Sequence, residues 1–421
     1  MHSDASFPGP LTESAIPCPA PGSAAAHAVA SRRSFLGATL TASTLATMPI
    51  GAAFAAGDQR LRVGLVGCGG RGTGAALQAA AADPAVRVVA LGDLFADQVA
   101  SSADLLARGL GPQFECPEER RFFGAQAFRS VIDSGVDVVL LAAPPHVRPL
   151  HLEAAIAAGR HVYCEKPVAI DAAGVVRAAA AAMRGHAAGL SLVSGFCFRR
   201  DPAMNELVAR IRAGEIGRPR AVLAHAAVGL PWRKPQVAGD ASGAWRQRNW
   251  ISFAGLSGGH FVEHHVEAID RALWLLGDAA PHVAEPAAIS KRSAEAAGVG
   301  DCPAATAVRY RFADGVTLEA SVDRRERGGE RRDERVIGTA GTCDLVRGTI
   351  GADPAVRQPG GPGRYQATMD ALVRGILAGR HVHDGPAMCR STLAAIMGRT
   401  AAETGIPVCW AEMAGNAVPF A

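Results

Sequence analysis

The sequence lacks most of the features that mark specialised classes of protein. Only 5% of its 421 residues are aromatic, and its nine cysteines are scattered singly, with no Cys-x-x-Cys pair. The formal net charge of +4 is spread thinly, and no stretch beyond the N-terminal leader reaches the roughly 20 apolar residues of a spanning helix. These absences argue against a structural zinc site, a nucleic-acid-binding surface and an internal membrane span.

The first 56 residues have the composition of an export leader. Residues 31–36 read Ser-Arg-Arg-Ser-Phe-Leu, which resembles the twin-arginine motif, and an uncharged stretch then runs to about Ala56. This stretch closes with Ala53, Phe54 and Ala55, a small-x-small cleavage pattern. We therefore predict that residues 1–56 engage the twin-arginine export machinery and that the protein is periplasmic or exported. An uncleaved membrane anchor is the alternative.

A strand, a glycine loop and a helix open the remaining chain. The apolar residues 61–66 predict a buried strand, and the alanine-rich residues 73–82 predict a helix. The loop between them consists of Gly67, Cys68, Gly69, Gly70, Arg71 and Gly72. In such a loop Gly67 permits a tight turn, Gly69 lets backbone N–H groups approach a pyrophosphate, and Gly72 lets helix and strand pack closely. The pattern predicts a dinucleotide-binding site.

An acidic residue follows at the spacing that this kind of site uses. The strand over residues 86–91 is followed by Asp93, which lies 21 residues after Gly72. A carboxylate there can accept hydrogen bonds from the adenosine ribose hydroxyls. No Arg or Lys follows immediately to pair with a 2′-phosphate, so NAD is favoured over NADP. The alternative is that Asp93 only caps the next helix.

Strands and helices continue to alternate, as a doubly wound parallel sheet requires. A strand over residues 136–142 leads into Pro144, Pro145 and His146, and a helix over residues 150–158 precedes the next strand at His161. We therefore predict an α/β protein of two domains, with an N-terminal Rossmann dinucleotide-binding domain over residues 57–185.

The strand beginning at His161 carries a more specific signature. It continues into Glu165, Lys166 and Pro167, and this Glu-Lys-Pro sequence resembles the signature of the Gfo/Idh/MocA oxidoreductases, which include glucose–fructose oxidoreductase and inositol dehydrogenase. The resemblance runs from about residue 61 to 410. It implies a second domain, residues 186–421, that is α/β with a large open, mostly antiparallel sheet. That sheet often serves as an oligomer interface, so a homodimer or homotetramer is expected.

The resemblance also implies site residues. Lys166 would lie beside the reacting hydroxyl of a sugar or cyclitol, where an ammonium can stabilise a developing alkoxide. The residues expected to contact the cofactor are Gly67, Gly69, Gly70, Arg71, Gly72, Asp93, Pro144, His146, Glu165 and Lys166.

The family's helix motif is present in altered form. Members carry an Asp, a His four residues later, a second Asp three residues further on and a Trp four beyond. Counting back from Trp274 and Asp270 places Glu267 where the catalytic His is expected and Glu263 where the first acid belongs. A carboxylate is a weak base at an ordinary pKa, but burial and a neighbouring carboxylate can raise it. Helical spacing makes His264 a further candidate for this catalytic group.

The remaining polar residues of the second domain leave alternatives open. His260, His264 and the two glutamates share a helical stripe with metal-ligand chemistry, although we expect no bound metal. The alternative is that these residues only line a polar pocket. Aromatic and arginine side chains over residues 245–253 suit either sugar recognition or a buried loop anchor. The residues expected to contact substrate are Arg199, Trp245, Arg246, Trp250, His260 and His265.

Three functions fit these observations. The first is an exported NAD-dependent oxidoreductase that acts on a secondary alcohol of a sugar, sugar derivative or cyclitol and holds its cofactor tightly. The second is a redox-neutral, NAD-dependent glycosidase, which oxidises a sugar transiently, eliminates the aglycone and returns the hydride. The third is a non-catalytic binder of a sugar or cofactor.

Overall fold

The computed structural model describes residues 60–415 except 240, 242, 291–299, 326–329, 352, 355, 357, 358 and 362. The predicted leader, residues 1–56, therefore lies outside the described residues. Within the described part of the chain, no helix is both long enough and apolar enough to cross a membrane.

A parallel sheet with helices on both faces forms the first domain. Its strands are β1 (Leu61–Val66), β2 (Val86–Asp93), β3 (Arg121–Phe123), β4 (Val138–Leu141), β5 (His161–Cys164) and β6 (Leu192–Ser194). The helices are α1 (Gly70–Ala82), α2 (Ala96–Leu110), α3 (Ala127–Asp133), α4 (Arg148–Ala157), α5 (Ala172–Ala187) and α6 (Pro202–Arg212). The strand order is β3-β2-β1-β4-β5-β6. The chain reverses direction across the sheet beside β1, and this switch point is where α/β sheets bind ligands.

The central strands are apolar because both of their faces are covered. Every residue of β4 and β5 is buried, and so is every residue of β1 except Arg62. Parallel strands that are buried on both faces show continuous rather than alternating hydrophobicity. Small alanines of α1, such as Ala75 and Ala79, are fully buried against the sheet. The first sheet extends to Ser194, past residue 185, where the sequence suggested that the domain ends.

The second domain is built on a nine-stranded sheet. Its strands are β7 (Pro219–Gly229), β8 (Val283–Ser290), β9 (Ala305–Arg311), β10 (Thr317–Arg325), β11 (Arg331–Gly338), β12 (Thr342–Asp344), β13 (Thr349–Ile350), β14 (Asp353–Pro354) and β15 (Val408–Cys409). Their order is β14-β13-β12-β11-β7-β10-β9-β8-β15, and among the described strands of this sheet only β7 and β10 pair in parallel. The predicted fold class, a Rossmann domain followed by a mostly antiparallel open sheet, is confirmed.

The described residues contain seven more α-helices. They are α7 (Ala244–Arg248), α8 (Ala254–Ser257), α9 (Gly259–Glu263), α10 (Val266–Leu275), α11 (Gly363–Leu377), α12 (Gly385–Thr404) and α13 (Trp410–Ala414). Helix α11 returns to the first domain, where Met369, Leu372 and Val373 join the core around α1. Helix α12 lies between the two domains, in contact with α5 on one side and β8 on the other.

Candidate active site

The glycine loop has the geometry that a dinucleotide requires. Gly67 has a φ of 100°, a conformation that favours glycine, and a Cβ atom on Gly72 would overlap the carbonyl oxygen of Gly67. These two glycines are thus required by the turn and by helix packing. A Cβ atom on Gly69 or Gly70 would meet nothing within 4 Å, so this part of the loop faces open space at the N-terminus of α1. A pyrophosphate fits there, against backbone N–H groups and the positive end of the helix dipole.

Asp93 is the last residue of β2 and lies beside the glycine loop. Its carboxylate accepts hydrogen bonds from the backbone N–H of Cys68 at 2.7 Å and of Phe95 at 3.0 Å. Burial raises the pKa of Asp93 from its ordinary value. The side chain therefore ties the glycine loop to the end of β2 while lining the same cleft as the loop. Its position supports the predicted ribose contact.

The cleft has a volume of about 660 Å³ and is formed by both domains. From the first domain it is lined by the glycine loop, Asp93, Pro144 and His146. The imidazole Nδ1 of His146 lies 3.2 Å from the carbonyl oxygen of Leu256, which belongs to the second domain. A volume of this size beside a glycine loop fits a dinucleotide.

Glu165 is a structural partner of the loop. It is buried and accepts a hydrogen bond from the Tyr163 hydroxyl at 2.6 Å, and its carboxylate lies 3.4 Å from Nε of Arg71. The guanidinium of Arg71 also stacks on the ring of Tyr365 in the returning helix α11. Glu165 and Arg71 therefore brace the loop, and Arg71 also lines the cleft.

Lys166 joins the two domains. It lies just beyond the carboxyl end of β5, and its ammonium Nζ donates a hydrogen bond to the carbonyl oxygen of Glu263 at 3.0 Å. The same Nζ is 3.8 Å from a carboxylate oxygen of Glu263 and 3.8 Å from one of Glu267. We call these three residues the Lys166 cluster. Their side chains are only 11–17% exposed, so charge interactions among them are weakly screened by water.

The two carboxylates of the cluster have opposite pKa shifts. Burial raises the pKa of Glu263 to about 7, although Lys166 and Arg148 oppose the rise. Burial also acts on Glu267, but there the charges of Lys166 and Arg271 outweigh it and hold the pKa below its ordinary value. Divergent pKa values in a carboxylate pair are a common means of assigning one group to proton transfer and the other to charge stabilisation.

Burial also opposes the charge on Lys166, but the carboxylates of Glu267 and Glu263 outweigh it. They hold the pKa of the ammonium above its ordinary value. Lys166 is therefore a fixed cation and a hydrogen-bond donor rather than a base. The sequence predicted Glu267 at the position of the family's His base; by charge and burial Glu263 is better suited to exchange a proton.

The expected single helix over residues 260–276 is broken. Helix α9 ends at Glu263 and α10 begins at Val266, and the N–H of His265 reaches the carbonyl oxygen of His260 at 3.4 Å, five residues earlier. A bulge of this kind changes the direction in which the following side chains point. The stripe that helical spacing predicted for His260, His264 and Glu267 is therefore not continuous.

The three histidines have different surroundings. His264 and His265 line a smaller cavity of about 240 Å³ between α10 and the second sheet, while His260 is buried at 2% exposure. Burial and the nearby Arg324 hold the pKa of His264 well below its ordinary value, so its imidazole is neutral. Burial likewise lowers the pKa of His265 to about 3. Within the described residues, no group of three or more His, Cys, Asp or Glu side chains is arranged to hold a metal ion.

Three other residues expected to bind substrate make contacts within the protein. The guanidinium of Arg199 is held in ion pairs with Asp270 and Asp278 at 2.8 and 2.6 Å, and Arg199 lines neither of the two cavities, so its substrate contact stays a prediction. Trp245 donates from its indole N–H to the carbonyl oxygen of Lys234 at 3.1 Å, as a loop anchor. Arg246 is half exposed and pairs with Asp301 at 3.3 Å, away from both cavities.

Trp250 lines the dinucleotide cleft instead of a sugar pocket, together with Trp232, Lys234, Gln247 and Arg248. Sequence reasoning missed Trp232 and Lys234, and it included Arg248 in the stretch 245–253 without predicting that it borders the cofactor. The only available signal was the mixture of aromatic and basic residues between two strands, and that composition does not indicate what such a segment covers. Trp232 also lines the smaller cavity, so one aromatic side chain borders both spaces.

Comparison of the sequence with known protein families gives two matches. Residues 61–190 match the profile described as "Oxidoreductase family, NAD-binding Rossmann fold", and residues 204–344 match that of the GFO/IDH/MocA C-terminal domain. The expectation that the first domain binds NAD is thereby confirmed.

Two curated relatives are inositol dehydrogenases. Inositol 2-dehydrogenase 1 of Saccharopolyspora erythraea is 35% identical over 39% of this chain and 44% of its own length. Inositol 2-dehydrogenase of Acidothermus cellulolyticus is 33% identical over 43% of this chain and 47% of its own length. The chain thus matches slightly less than half of the length of each of these relatives.

The fold has a solved counterpart. The crystal structure of GenD2 from gentamicin A biosynthesis, in complex with NAD, superimposes with a TM-score of 0.62 at 23% identity, over 83% of this chain and 96% of GenD2. At that identity the likeness establishes the architecture. Because the two family profiles follow each other and together span more than half of the sequence, the chain belongs to the Gfo/Idh/MocA oxidoreductase family.

Proposed function

We propose that this protein is an NAD-dependent dehydrogenase that oxidises a secondary alcohol of a cyclitol or a sugar. The observation that carries the proposal is the Lys166 cluster, in which one ammonium and two carboxylates with divergent pKa values meet where the domains join. The glycine loop and Asp93 would hold NAD in the adjoining cleft, and bound NAD supplies the acceptor for the hydride that leaves the carbinol carbon.

Proton transfer is assigned to Glu263. At a pKa of about 7 its carboxylate is about half ionised near neutral pH, so it can both accept and return a proton. As the carbinol C–H bond breaks, the hydroxyl proton passes to Glu263 and a carbonyl group forms. In the reverse direction Glu263 donates that proton to the carbonyl oxygen.

Lys166 and Glu267 provide the charge that this step needs. The ammonium of Lys166 donates to the oxygen on which negative charge develops, and such a preorganised donor stabilises an alkoxide more strongly in a dry site than in water. Glu267 remains ionised and keeps Lys166 protonated. Glu267 therefore acts as a counter-ion at the position where the family's His is expected.

Cyclitols are the favoured substrate class because the curated relatives carry the names of inositol dehydrogenases. A cyclitol carries its secondary hydroxyls on a compact ring without a charged group. Trp232, which borders both cavities, offers an aromatic face of the kind that stacks on such rings.

The twin-arginine leader extends the proposal to location. We infer that residues 1–56 direct the folded protein out of the cytoplasm, because Arg32 and Arg33 precede an uncharged, small-residue stretch. An exported dehydrogenase has no steady supply of cytoplasmic NAD. It would therefore carry a tightly held cofactor and regenerate it with a second, carbonyl substrate.

A half-reaction experiment tests the activity. The protein is purified with its cofactor, and the absorbance of reduced nicotinamide is followed after myo-inositol, scyllo-inositol or a set of aldoses is added. We expect at least one cyclitol or sugar to reduce the bound cofactor in the parent protein, and no change in Lys166→Met. A second addition, of a keto-cyclitol or an aldonolactone, should reoxidise it.

Absence of reduction with every alcohol, in protein shown to contain NAD, would contradict the proposal. Release of an aglycone from nitrophenyl glycosides without net reduction of NAD would show the redox-neutral glycosidase instead. Binding of an inositol to the loaded protein with neither reaction would show a non-catalytic binder.

A further inference from the structure

An irregular segment of the second domain crosses to the first. Residues 230–250, which we call the strap, leave β7 after Gly229 and include α7; Asp240 and Ser242 lie outside the described residues. Five strap residues line the same dinucleotide cleft as the glycine loop: Trp232, Lys234, Gln247, Arg248 and Trp250. The strap is thus one wall of the space that the cofactor would fill.

The two limbs of the strap are fastened to each other through Asn249. Its buried side-chain oxygen accepts from the backbone N–H of Lys234 at 2.8 Å, and its amide donates to the carbonyl oxygens of Lys234 at 3.1 Å and Trp245 at 2.9 Å. This paired arrangement resembles the hydrogen bonding between two strands. Because the limbs are tied in this way, they should move together.

Arg248 fastens the strap to the Rossmann domain. Its guanidinium makes a two-pronged ion pair with the carboxylate of Asp97, at 2.9 and 3.0 Å, and stacks on the ring of Phe95 at 3.9 Å from the ring centre. Both partners lie at the start of α2, directly after Asp93. The side chain of Arg248 is only 8% exposed, whereas that of Asp97 is 57% exposed. A bidentate, stacked arginine fixes geometry in a way that a lysine cannot.

A second contact and the charge of the strap support the same role. The ammonium of Lys234 lies 3.5 Å from the side-chain oxygen of Gln98, on the next part of α2. Lys234 and Arg248 place two positive charges on a wall that would face a dinucleotide with two phosphate charges. The lining that the first domain contributes includes four glycines of the glycine loop, Gly67, Gly69, Gly70 and Gly72.

We infer that the strap is a latch that retains NAD, and that Arg248, Asp97 and Phe95 form its fastening. Cofactor release then requires Arg248 to leave Asp97 and the strap to swing away from α2. This inference rests on the proposed NAD site but not on the identity of the alcohol. Arg248 is a positioning residue, since it acts by holding the wall and not by contacting the reacting atoms.

The rate at which bound NADH dissociates tests the latch without any turnover. Purified protein is loaded with NADH, mixed with excess NAD, and followed by the fluorescence of bound reduced nicotinamide. We expect Arg248→Ala to accelerate release about tenfold, as for an interface arginine worth roughly 1.4 kcal/mol. Asp97→Asn should accelerate it by about threefold, because its carboxylate is more exposed.

Arg246→Ala is the matched control. Arg246 lies in the same short helix and makes an ion pair of its own, but with Asp301, and it lines neither cavity. Its removal should leave the release rate unchanged. The exchanged pair Arg248→Asp with Asp97→Arg should restore part of the retention, because the attraction is re-formed with its direction reversed.

Equal release rates for Arg248→Ala, Asp97→Asn and the parent protein would overturn the inference and leave the strap a structural insertion. If Arg248→Ala fails to fold, the comparison of Asp97→Asn with Arg246→Ala decides the question. Slow release of NADH from a parent protein that oxidises no alcohol would refute the proposed activity and leave the latch intact. Turnover by the parent protein, together with equal NADH release rates in the parent protein and the variants, would support the proposed activity and refute the latch.

Discussion

The dinucleotide cleft and the Lys166 cluster are linked through Glu165, which contacts both Arg71 of the cleft and the backbone N–H of Lys166, but they differ in what they present to a ligand. The loop side of the cleft offers space and backbone N–H groups, since Gly69 and Gly70 have no side chain and nothing within 4 Å of a Cβ position. The cluster offers an ammonium with one carboxylate oxygen of each of two glutamates 3.8 Å away, and all three side chains are nearly excluded from solvent. In the proposed function, the shape of the glycine loop selects the dinucleotide, and the charges of the Lys166 cluster assist proton transfer.

This difference also determines which substitutions should impair the cleft and which should impair the Lys166 cluster. A cleft built for close backbone approach is sensitive to added volume, even when the added group is apolar and harmless to the fold. A buried charge cluster is sensitive to the loss of a charge, even when the shape is preserved. Substitutions that keep one property and change the other therefore separate the two sides.

The largest effect is expected at Lys166. Lys166→Met keeps the length of the side chain but removes the donor to the developing alkoxide, and we expect turnover to fall about a thousandfold. Retention of NAD should be almost unchanged, because the glycine loop and Asp93 are untouched. Steady-state rates together with the NAD content of the purified variant check this, and turnover above a tenth of the parental value would contradict it.

Glu263→Gln should reduce turnover about a hundredfold or more, the usual contribution of a positioned base. A base must be deprotonated to act, so oxidation by the parent protein should rise with pH through about 7, the pKa of Glu263. The variant should lose this rise. Glu267→Gln is the comparison: it should be slower than the parent yet keep a pH-dependent rise. A parental profile that stays flat from pH 5 to 9 would show that Glu263 is not the base.

Gly69→Val tests the cleft by adding volume. Because Gly69 has an ordinary φ of −75° and open space around it, the variant should unfold at the parental temperature without NAD. It should bind NAD about tenfold more weakly, since the side chain occupies the approach to the pyrophosphate. Calorimetric titration and thermal unfolding measure the two effects. Gly72→Ala should instead lower the unfolding temperature, because its Cβ overlaps the Gly67 carbonyl oxygen.

The last effect concerns stability. Burial raises the pKa of Glu263 in the folded protein from 4.5 to about 7, against the opposing charges of Lys166 and Arg148 and with Glu165 and Glu267 adding to the rise. The folded state therefore binds more protons than the unfolded state between these values, and the free energy of unfolding falls as pH increases through them. Glu263→Gln lacks this dependence, so relative to the parent it should gain about 2.5 kcal/mol between pH 5 and pH 8. Denaturant unfolding at both pH values measures the gain; an unchanged difference would contradict it.

Local patterns allowed the sequence to identify the first domain and part of the site. The loop from Gly67 to Gly72 and the acid at Asp93 belong to one contiguous unit of strand, loop, helix and strand, and their spacing alone implies their arrangement. Lys166 and Glu267 came from motifs of a few residues each. Each of these residues could be identified because its position depends on neighbours in the sequence or on the end of a single strand.

What the sequence could not predict depends on distant contacts. The bulge at His265 interrupts a sequence that is helical by periodicity, in two helices that both pack against the distant helix α12. From the sequence, Arg199 resembles a residue that binds substrate. In the structure its guanidinium donates to the carboxylate of Asp270, which lies 71 positions later in the sequence. The role of the strap rests on Arg248 meeting Asp97, which is 151 positions away.

A fastened strap would also constrain the kinetics. If NAD leaves more slowly than an alcohol is oxidised, the reduced protein must give up its first product before the second substrate binds in the same place. Initial rates would then follow a ping-pong pattern, with parallel lines in double-reciprocal plots. One pocket would have to accept both a hydride donor and a hydride acceptor, which favours pairs of similar ring shape.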